Sequence, residues 1–495
     1  MIDVAALIFL YLAISLFIMK TIIGRIAEQS ILANALVSDE AELIAVFGRR
    51  RVGKTYLIRE YYNNQMIFDF SGVHNESLQK QLTNFRNTMA YTLNLTIRAE
   101  VPSSWTDAFF QLRNFTEPLI AKKKGVIFLD EFPWLNSPRS GFLQAFEFFW
   151  NSWASRQKNL IVVICGSAAS WMIQNVIRSK TGLHNRITRK IRLLPFTLTE
   201  TKAYLRHRNV NLDEYQIMQL YMAMGGIPQY LKSVEVGKSA TQNIDQMCFT
   251  KEGILQTEFT DLYRSLFDEA DKHITIVKAL AAKPGGLTRK EILEVLGAST
   301  GGRVTSLLEE LTESGFITYY LPFKKNVRDT IYKLSDEYSR FYLKFIDGSR
   351  ASGAGTWLRI SETPAWRSWS GTAFESVCLK HINEIKIALG ISGIQSEPST
   401  WRYVPGKGKA GAQIDLLIDR ADFCINICEM KFSTTEFSID KKYAEELKNK
   451  ADVFKQKTNT QKTIMTVMIT TFGTQNNSNK IGLIQNEVVM SQLFV

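Results

Sequence analysis

The run Gly48-Arg49-Arg50-Arg51-Val52-Gly53-Lys54-Thr55-Tyr56 sets glycines, a lysine and a hydroxyl at a spacing suited to a triphosphate. Glycines let backbone N–H groups turn inward around phosphate oxygens. Lys54 places a point charge on the β and γ oxygens, and Thr55 offers its hydroxyl to Mg²⁺. A helix opening here would present its positive end to the anion. Downstream, VIFLDE (126–131) ends an apolar run in two carboxylates. Asp130 can reach the Mg²⁺ shell, and Glu131 can orient or deprotonate an attacking water; taken alone, an ordinary acidic turn reads equally well. Ser167 follows LIVVICG (160–166) and would lie beside the γ-phosphate if that strand runs between the other two. A plain strand-end turn is the other reading. Arg186 and Arg189, in HNRITRK (184–190), could bring charge to a transferring phosphoryl group, in the same subunit or a neighbour in a homo-oligomer, or could simply form a basic surface.

A second set of chemical groups lies near the C-terminus. Glu375 falls in GTAFESV, Asp415 in QIDLLID, and Glu429 and Lys431 in CINICEMKF. Strand alternation puts Phe423, Ile425, Ile427, Glu429 and Lys431 in one row, apolar at first and charged at its end. Asp415 and Glu429, on neighbouring antiparallel strands, could share a hard cation such as Mg²⁺. Lys431 would then face the metal and steady charge on a phosphodiester, and Glu375 could orient the water. A surface salt bridge between Glu429 and Lys431 remains the plainer alternative.

The elements that must position these groups can be read from periodicity. LIAVF (43–47), MIFDF (66–70), GVIFLD (125–130) and LIVVICG (160–166) are short, apolar and β-branched, separated by helical stretches. That pattern predicts parallel strands buried on both faces. After Pro195 the chain reads as helical to about Leu266, opening with a capping-box spacing, Thr197 to Glu200. Residues 272–334 order as helices around a Pro284-Gly285-Gly286 turn, then two strands, as in a winged helix. Such modules hold DNA or serve as protein contacts; both uses stay open, since Arg289, Lys290 and Arg303 are the only basic residues on the helices suited to DNA. Residues 371–495 read as a helix, three strands, a Lys-rich helix and a further strand.

FGRRRVGKTYLIREYY, FLDEFPWL, ICGSAASWM, GLHNRITRKIRLLPF and GGIPQYL occur in that order over roughly residues 22–260, and together resemble the archaeal-type prokaryotic ATPase family, AAA-like P-loop proteins close to the signalling NTPases. Ile23-Gly24-Arg25 with Glu28 resembles the family's motif beside the nucleotide base. The resemblance implies ATP and Mg²⁺ binding, a winged helix and a C-terminal domain. Residues 371–472 resemble the PD-(D/E)XK nuclease fold, with Gln413 where an acidic residue often stands. The expected fold is therefore α/β: a P-loop NTPase parallel sheet with a helical lid, a winged helix and a C-terminal α/β nuclease-like domain. The expected boundaries are 1–21 apolar extension, 22–196 ATPase core, 197–266 lid, 267–348 winged helix, 349–370 linker and 371–495 nuclease-like domain. ATP hydrolysis coupled to DNA binding or cleavage is the expected function; a regulatory NTPase with a non-catalytic nuclease-like domain is the alternative.

Composition bounds these readings. The chain has 495 residues, enough for several domains, with 45% hydrophobic and 22% charged residues, as in globular proteins. The net charge of +12 suits a phosphate-rich partner such as ATP or DNA, or a solvated surface. Five cysteines without a framework of spacings argue for a reducing compartment, the cytoplasm, and against a zinc site. Residues 4–19 are uncharged but fall short of the ~20 needed to span a bilayer. A short anchor, a signal peptide and an upstream extension compete; no small-residue cleavage site supports the second, and Met19 is favoured as the start.

Overall fold

The structure is a computed structural model describing residues 22–92, 100–178, 183, 185–297, 301–349, 353–361, 363–404 and 411–495. The apolar segment 4–19 lies outside the described residues. The chain divides into two compact units, Met1–Pro195 and Phe196–Val495.

The first unit alternates helices and strands: α1 (Ile26–Leu36), β1 (Glu42–Phe47), α2 (Lys54–Tyr61), β2 (Met66–Ser71), α3 (Leu78–Thr92), α4 (Trp105–Ile120), β3 (Gly125–Asp130), α5 (Phe132–Leu135), α6 (Phe142–Ser152), β4 (Leu160–Gly166) and β5 (Arg189–Arg192). The sheet is parallel with order β2-β3-β4-β1-β5. Every residue of β1, β3 and β4 is buried, the burial that helices on both faces impose on apolar, β-branched strands. An aromatic core covers one face: Phe68, Phe85, Trp105, Phe109, Phe142 and Phe146 are all buried. Because β4 lies between β3 and β1, neighbouring strand ends come from distant parts of the sequence, the arrangement that opens a crevice at the carboxyl edge of such sheets.

The second unit begins with α7 (Leu198–His207), α8 (Glu214–Met224), α9 (Ala240–Phe249) and α10 (Glu258–Arg264). The Thr197–Glu200 capping box is formed. Next come α11 (Ala270–Ala282), β6 (Leu287–Thr288), α12 (Arg289–Leu296), α13 (Gly301–Glu313), β7 (Ile317–Tyr320) and β8 (Ile331–Leu334), the strands making an antiparallel sheet of order β6-β8-β7. Helices α14 (Glu337–Phe345), α15 (Pro364–Lys380) and α16 (Ile382–Ala388) lead to β9 (Ser396–Tyr403), β10 (Ala412–Arg420), β11 (Cys424–Lys431), α17 (Lys441–Thr458), β12 (Thr463–Thr470) and β13 (Asn486–Val489). The last five strands form a sheet of order β13-β12-β11-β10-β9, antiparallel across β9–β10–β11 and parallel beyond.

Two expectations need correction. The stretch 349–370 is not an extended linker: Trp357, Trp366 and Trp369 are buried in it, α15 already starts at Pro364, and Asp245 accepts the backbone N–H groups of Gly355 (2.7 Å) and Trp357 (2.6 Å). Indole burial outweighs the local richness in Gly and Ser. Phe423 is not part of the strand row; it sits at φ 61° in a turn, 73% exposed, and β11 starts one residue later.

Candidate functional site

The phosphate-type loop joins β1 to α2 at the carboxyl edge of the sheet. Its backbone takes three left-handed steps, at Gly48 (φ 148°), Arg51 (φ 71°) and Gly53 (φ 89°). A Cβ at Gly48 would lie 2.2 Å from the carbonyl oxygen of Leu193, whose N–H donates to Phe47. Gly53 faces open space, so glycine is required there by its dihedral and not by crowding. Arg49 and Val52 are buried, Arg50 is exposed, and Tyr56 is 53% exposed on the first turn of α2. Arg25, the left-handed residue before α1, is buried and donates to the Val52 carbonyl (3.2 Å), with Glu28 at 3.9 Å. The Ile23-Gly24-Arg25 segment thus braces the loop.

One chain of polar contacts joins this loop to two strand ends. Lys54 Nζ donates to the carbonyls of Gly48 (3.0 Å) and Arg49 (2.9 Å) and to Ser167 Oγ (3.1 Å). Ser167 Oγ donates to Glu131 Oε1 (2.8 Å), and the Ser167 N–H to Oε2 (3.3 Å). Thr55 Oγ1 donates to Asp130 Oδ2 (2.8 Å). Glu131 is left-handed (φ 45°), turning the chain sharply after β3 and bringing two adjacent carboxylates to different partners. Burial pushes the Lys54 ammonium below its ordinary value, opposed by Glu131 and Asp130. A buried ammonium ringed by oxygens is electrostatically suited to a phosphate. The donor set also fits Mg²⁺: a threonine hydroxyl beside a carboxylate is hard and all-oxygen, and Mg²⁺ keeps waters and phosphate oxygens besides one or two protein ligands. Gly48, Gly53, Lys54, Thr55, Asp130, Glu131 and Ser167 are therefore brought together, and β4 does run between β3 and β1.

The two arginines are not. Arg189 Nη2 pairs with Glu42 at 2.7 Å, at the amino end of β1, and Thr188 Oγ1 also bonds that carboxylate. The phosphate loop leaves the other end of β1, five residues away, roughly 16 Å along a strand. This corrects the expectation that Arg189 serves the phosphates: a buried glutamate claims it. Arg186 is exposed, and its chain leads to the Thr188 N–H on the Leu43 carbonyl, again at the amino end of β1. The Glu42–Thr188–Arg189 cluster was not foreseen, because nothing local pairs residues so far apart.

In the second unit, the β10–β11 ladder pairs Leu416 with Cys428, so one further step sets Asp415 opposite Glu429. Glu429 is buried; its carboxylate accepts from Lys450 Nζ (2.7 Å) and the Tyr443 hydroxyl (3.3 Å), both on α17. Burial raises its pKa, and Lys450 opposes the rise. Gln413 Nε2 donates to Asp415 Oδ1 (2.7 Å). Glu375, on α15, is pushed up to about 7, first by burial and then by the Asp415 charge, with Lys333 and Lys431 opposing. Lys431 Nζ lies 4.9 Å from the Tyr443 ring centre. Glu375, Asp415, Glu429 and Lys431 thus share one neighbourhood, joined by two lysines, Lys333 and Lys450, that sequence spacing did not single out. Among the described residues no three His, Cys, Asp or Glu side chains gather closely enough to hold a metal ion by themselves.

Residues 23–234 match the family described as an ATPase domain predominantly from Archaea. Over 366 residues the chain is 24% identical to an uncharacterized protein of Methanocaldococcus jannaschii, covering 73% of this chain and 77% of that one. Among solved structures, the Walker-type ATPase of Pyrococcus abyssi is similar at 18% identity and a TM-score of 0.47, over 66% of this chain and 96% of that one. The ORC2 protein of Aeropyrum pernix is similar at 14% and 0.38, over 72% and 93%. No helix among the described residues is long and apolar enough to cross a membrane.

Proposed function

Residues 23–234 are an archaeal-type P-loop ATPase domain that supports ATP binding, and from that premise we propose that the chain is an Mg²⁺-dependent, ATP-hydrolysing switch driving a nucleic-acid-directed C-terminal half. The polar chain Lys54–Ser167–Glu131 with Thr55–Asp130 carries the reading. Inward N–H groups of residues 48–55 bind the phosphates, and Lys54 exchanges carbonyl oxygens for phosphate oxygens. Thr55 and Asp130 hold Mg²⁺, which neutralises charge on the β and γ oxygens. Glu131 orients the attacking water and accepts its proton; Ser167 holds Glu131 in place and senses the γ-phosphate. Arg186, exposed and remote from its own loop, acts on the nucleotide of a neighbouring copy in a homo-oligomer. Lys54→Ala should abolish hydrolysis in a phosphate-release assay; a variant turning over ATP at the wild-type rate would sink the assignment.

The order of α11, β6, α12, α13 and the β7–β8 hairpin supports a winged helix within 267–348, and the second sheet with α15 and α17 supports a nuclease-like domain. Asp415 and Glu429 would share a cation there, with Glu375 and Lys431 assisting. One observation favours a second reading, a non-catalytic domain that holds partners or DNA: Lys450 and Tyr443 already occupy the Glu429 carboxylate. Mn²⁺-dependent nicking of DNA, lost in Asp415→Ala, supports cleavage; nicking unchanged in that variant excludes the proposed centre. Five free thiols and an ATP substrate support a cytoplasmic setting.

A further inference from the structure

The β7–β8 hairpin does not end in solvent as a DNA-reading wing would. Pro322 pairs with Thr400 on β9, the edge strand of the C-terminal sheet, and the Phe323 N–H donates to the Thr400 carbonyl (2.9 Å). The Phe323 ring packs 5.4 Å from Phe454 of α17, inside the core beneath β9–β11, and Lys324 Nζ reaches the Thr458 carbonyl (3.3 Å). The hairpin is therefore docked on the C-terminal sheet.

Docking brings one side chain of the hairpin to the carboxylates. Lys333 of β8 and Asp415 of β10 line the same cavity of about 280 Å³, with Thr400, Arg402 and Gln413. Its ammonium interacts electrostatically with Asp415 and Glu375. Three carboxylates, Glu375, Asp415 and Glu429, thus face three ammonium groups, Lys333, Lys431 and Lys450. Lys450 and Lys431 come from the C-terminal sheet and its helix; Lys333 alone of the three comes from the hairpin. In a poorly hydrated pocket a divalent cation and a resident ammonium repel strongly, so occupancy by one disfavours the other.

We propose that Lys333 is the resident counter-ion of the C-terminal centre, held there by the docked hairpin, and that a divalent cation binds between Asp415 and Glu429 only when Lys333 is withdrawn. The inference rests on reading Asp415 and Glu429 as a cation pair. It gives the winged-helix region a role as a gate on that centre, with motion of the hairpin as the switch.

The test is Mn²⁺ binding to the nucleotide-free full chain, followed by loss of the free-ion electron paramagnetic resonance signal. Lys333→Met should bind one Mn²⁺ at least tenfold more tightly than wild type, and Asp415→Asn added to it should cancel the gain. Phe323→Ala, which loosens the dock while keeping Lys333, should shift affinity the same way. Lys333→Gln serves if the methionine variant fails to fold. Equal affinity in wild type and both Lys333 variants, with binding lost in Asp415→Asn, overturns the gate but leaves the cation pair standing. Absence of bound Mn²⁺ in every variant overturns both.

Discussion

Glu375→Gln offers a stringent check on the electrostatics of the C-terminal centre. Burial, reinforced by Asp415, raises the Glu375 carboxyl from 4.5 to about 7. A carboxyl with a raised folded pKa stabilises the fold in its protonated form, so its contribution is complete below 4.5 and is lost as pH climbs through 7. At about 1.4 kcal/mol per pH unit, ionised Glu375 costs on the order of 3 kcal/mol. Glutamine keeps the shape and cannot ionise. Amide hydrogen exchange of α15, corrected for the intrinsic rate, reads local stability without assuming that the whole chain opens at once. Wild type and Glu375→Gln should match near about pH 4, and the variant should become more protected by up to about 3 kcal/mol near about pH 8. Because Asp415 is the second cause of the shift, Asp415→Asn should reduce that divergence and leave the part due to burial. Parallel pH profiles for wild type and Glu375→Gln would refute the reasoning.

Three further outcomes follow from the ATPase site. Gly48→Ala puts a methyl 2.2 Å from the Leu193 oxygen at a left-handed φ; it should lower stability by about 1–3 kcal/mol and abolish binding of a fluorescent nucleotide. Glu131→Gln should bind ATP normally while kcat falls about 10²–10⁴-fold, the range for a lost general base; an unchanged kcat would dismiss Glu131 as the base. Arg189→Ala strips the buried Glu42 of its cation and should cost about 1–3 kcal/mol in urea unfolding, with ATP turnover per folded molecule unchanged; loss of turnover in folded protein would return Arg189 to the nucleotide site.

The ATPase site was legible because its chemistry is local. Gly48 to Thr55 form one turn between a strand and a helix, and Asp130, Glu131 and Ser167 terminate apolar runs whose burial forces them to strand ends. Side chains that acquire partners across the fold were not legible. Arg189 looked free to meet a phosphate until Glu42, 147 positions earlier, took it. Glu429 was read with Lys431, two residues on, whereas its partner is Lys450, 21 positions away on a helix that crosses the sheet. Phe423 continued an alternating row on paper, yet the tight turn between β10 and β11 needed a left-handed residue there. The tryptophans of 349–370 sat among glycines and serines that read as a boundary, and only packing reveals them as core.

The seams inside the second unit have a thermodynamic consequence. Thr400 receives the hairpin, Tyr215 of α8 stacks on Phe432 (5.4 Å), His381 accepts the Leu198 N–H (3.2 Å), and Arg340 of α14 donates to the Thr372 carbonyl of α15 (2.7 Å). Helices, hairpin and C-terminal sheet therefore share contacts that none can keep alone. Such a body melts as a single cooperative block, so scanning calorimetry should resolve two endotherms for the chain, one per compact unit, although four architectural modules can be counted along it.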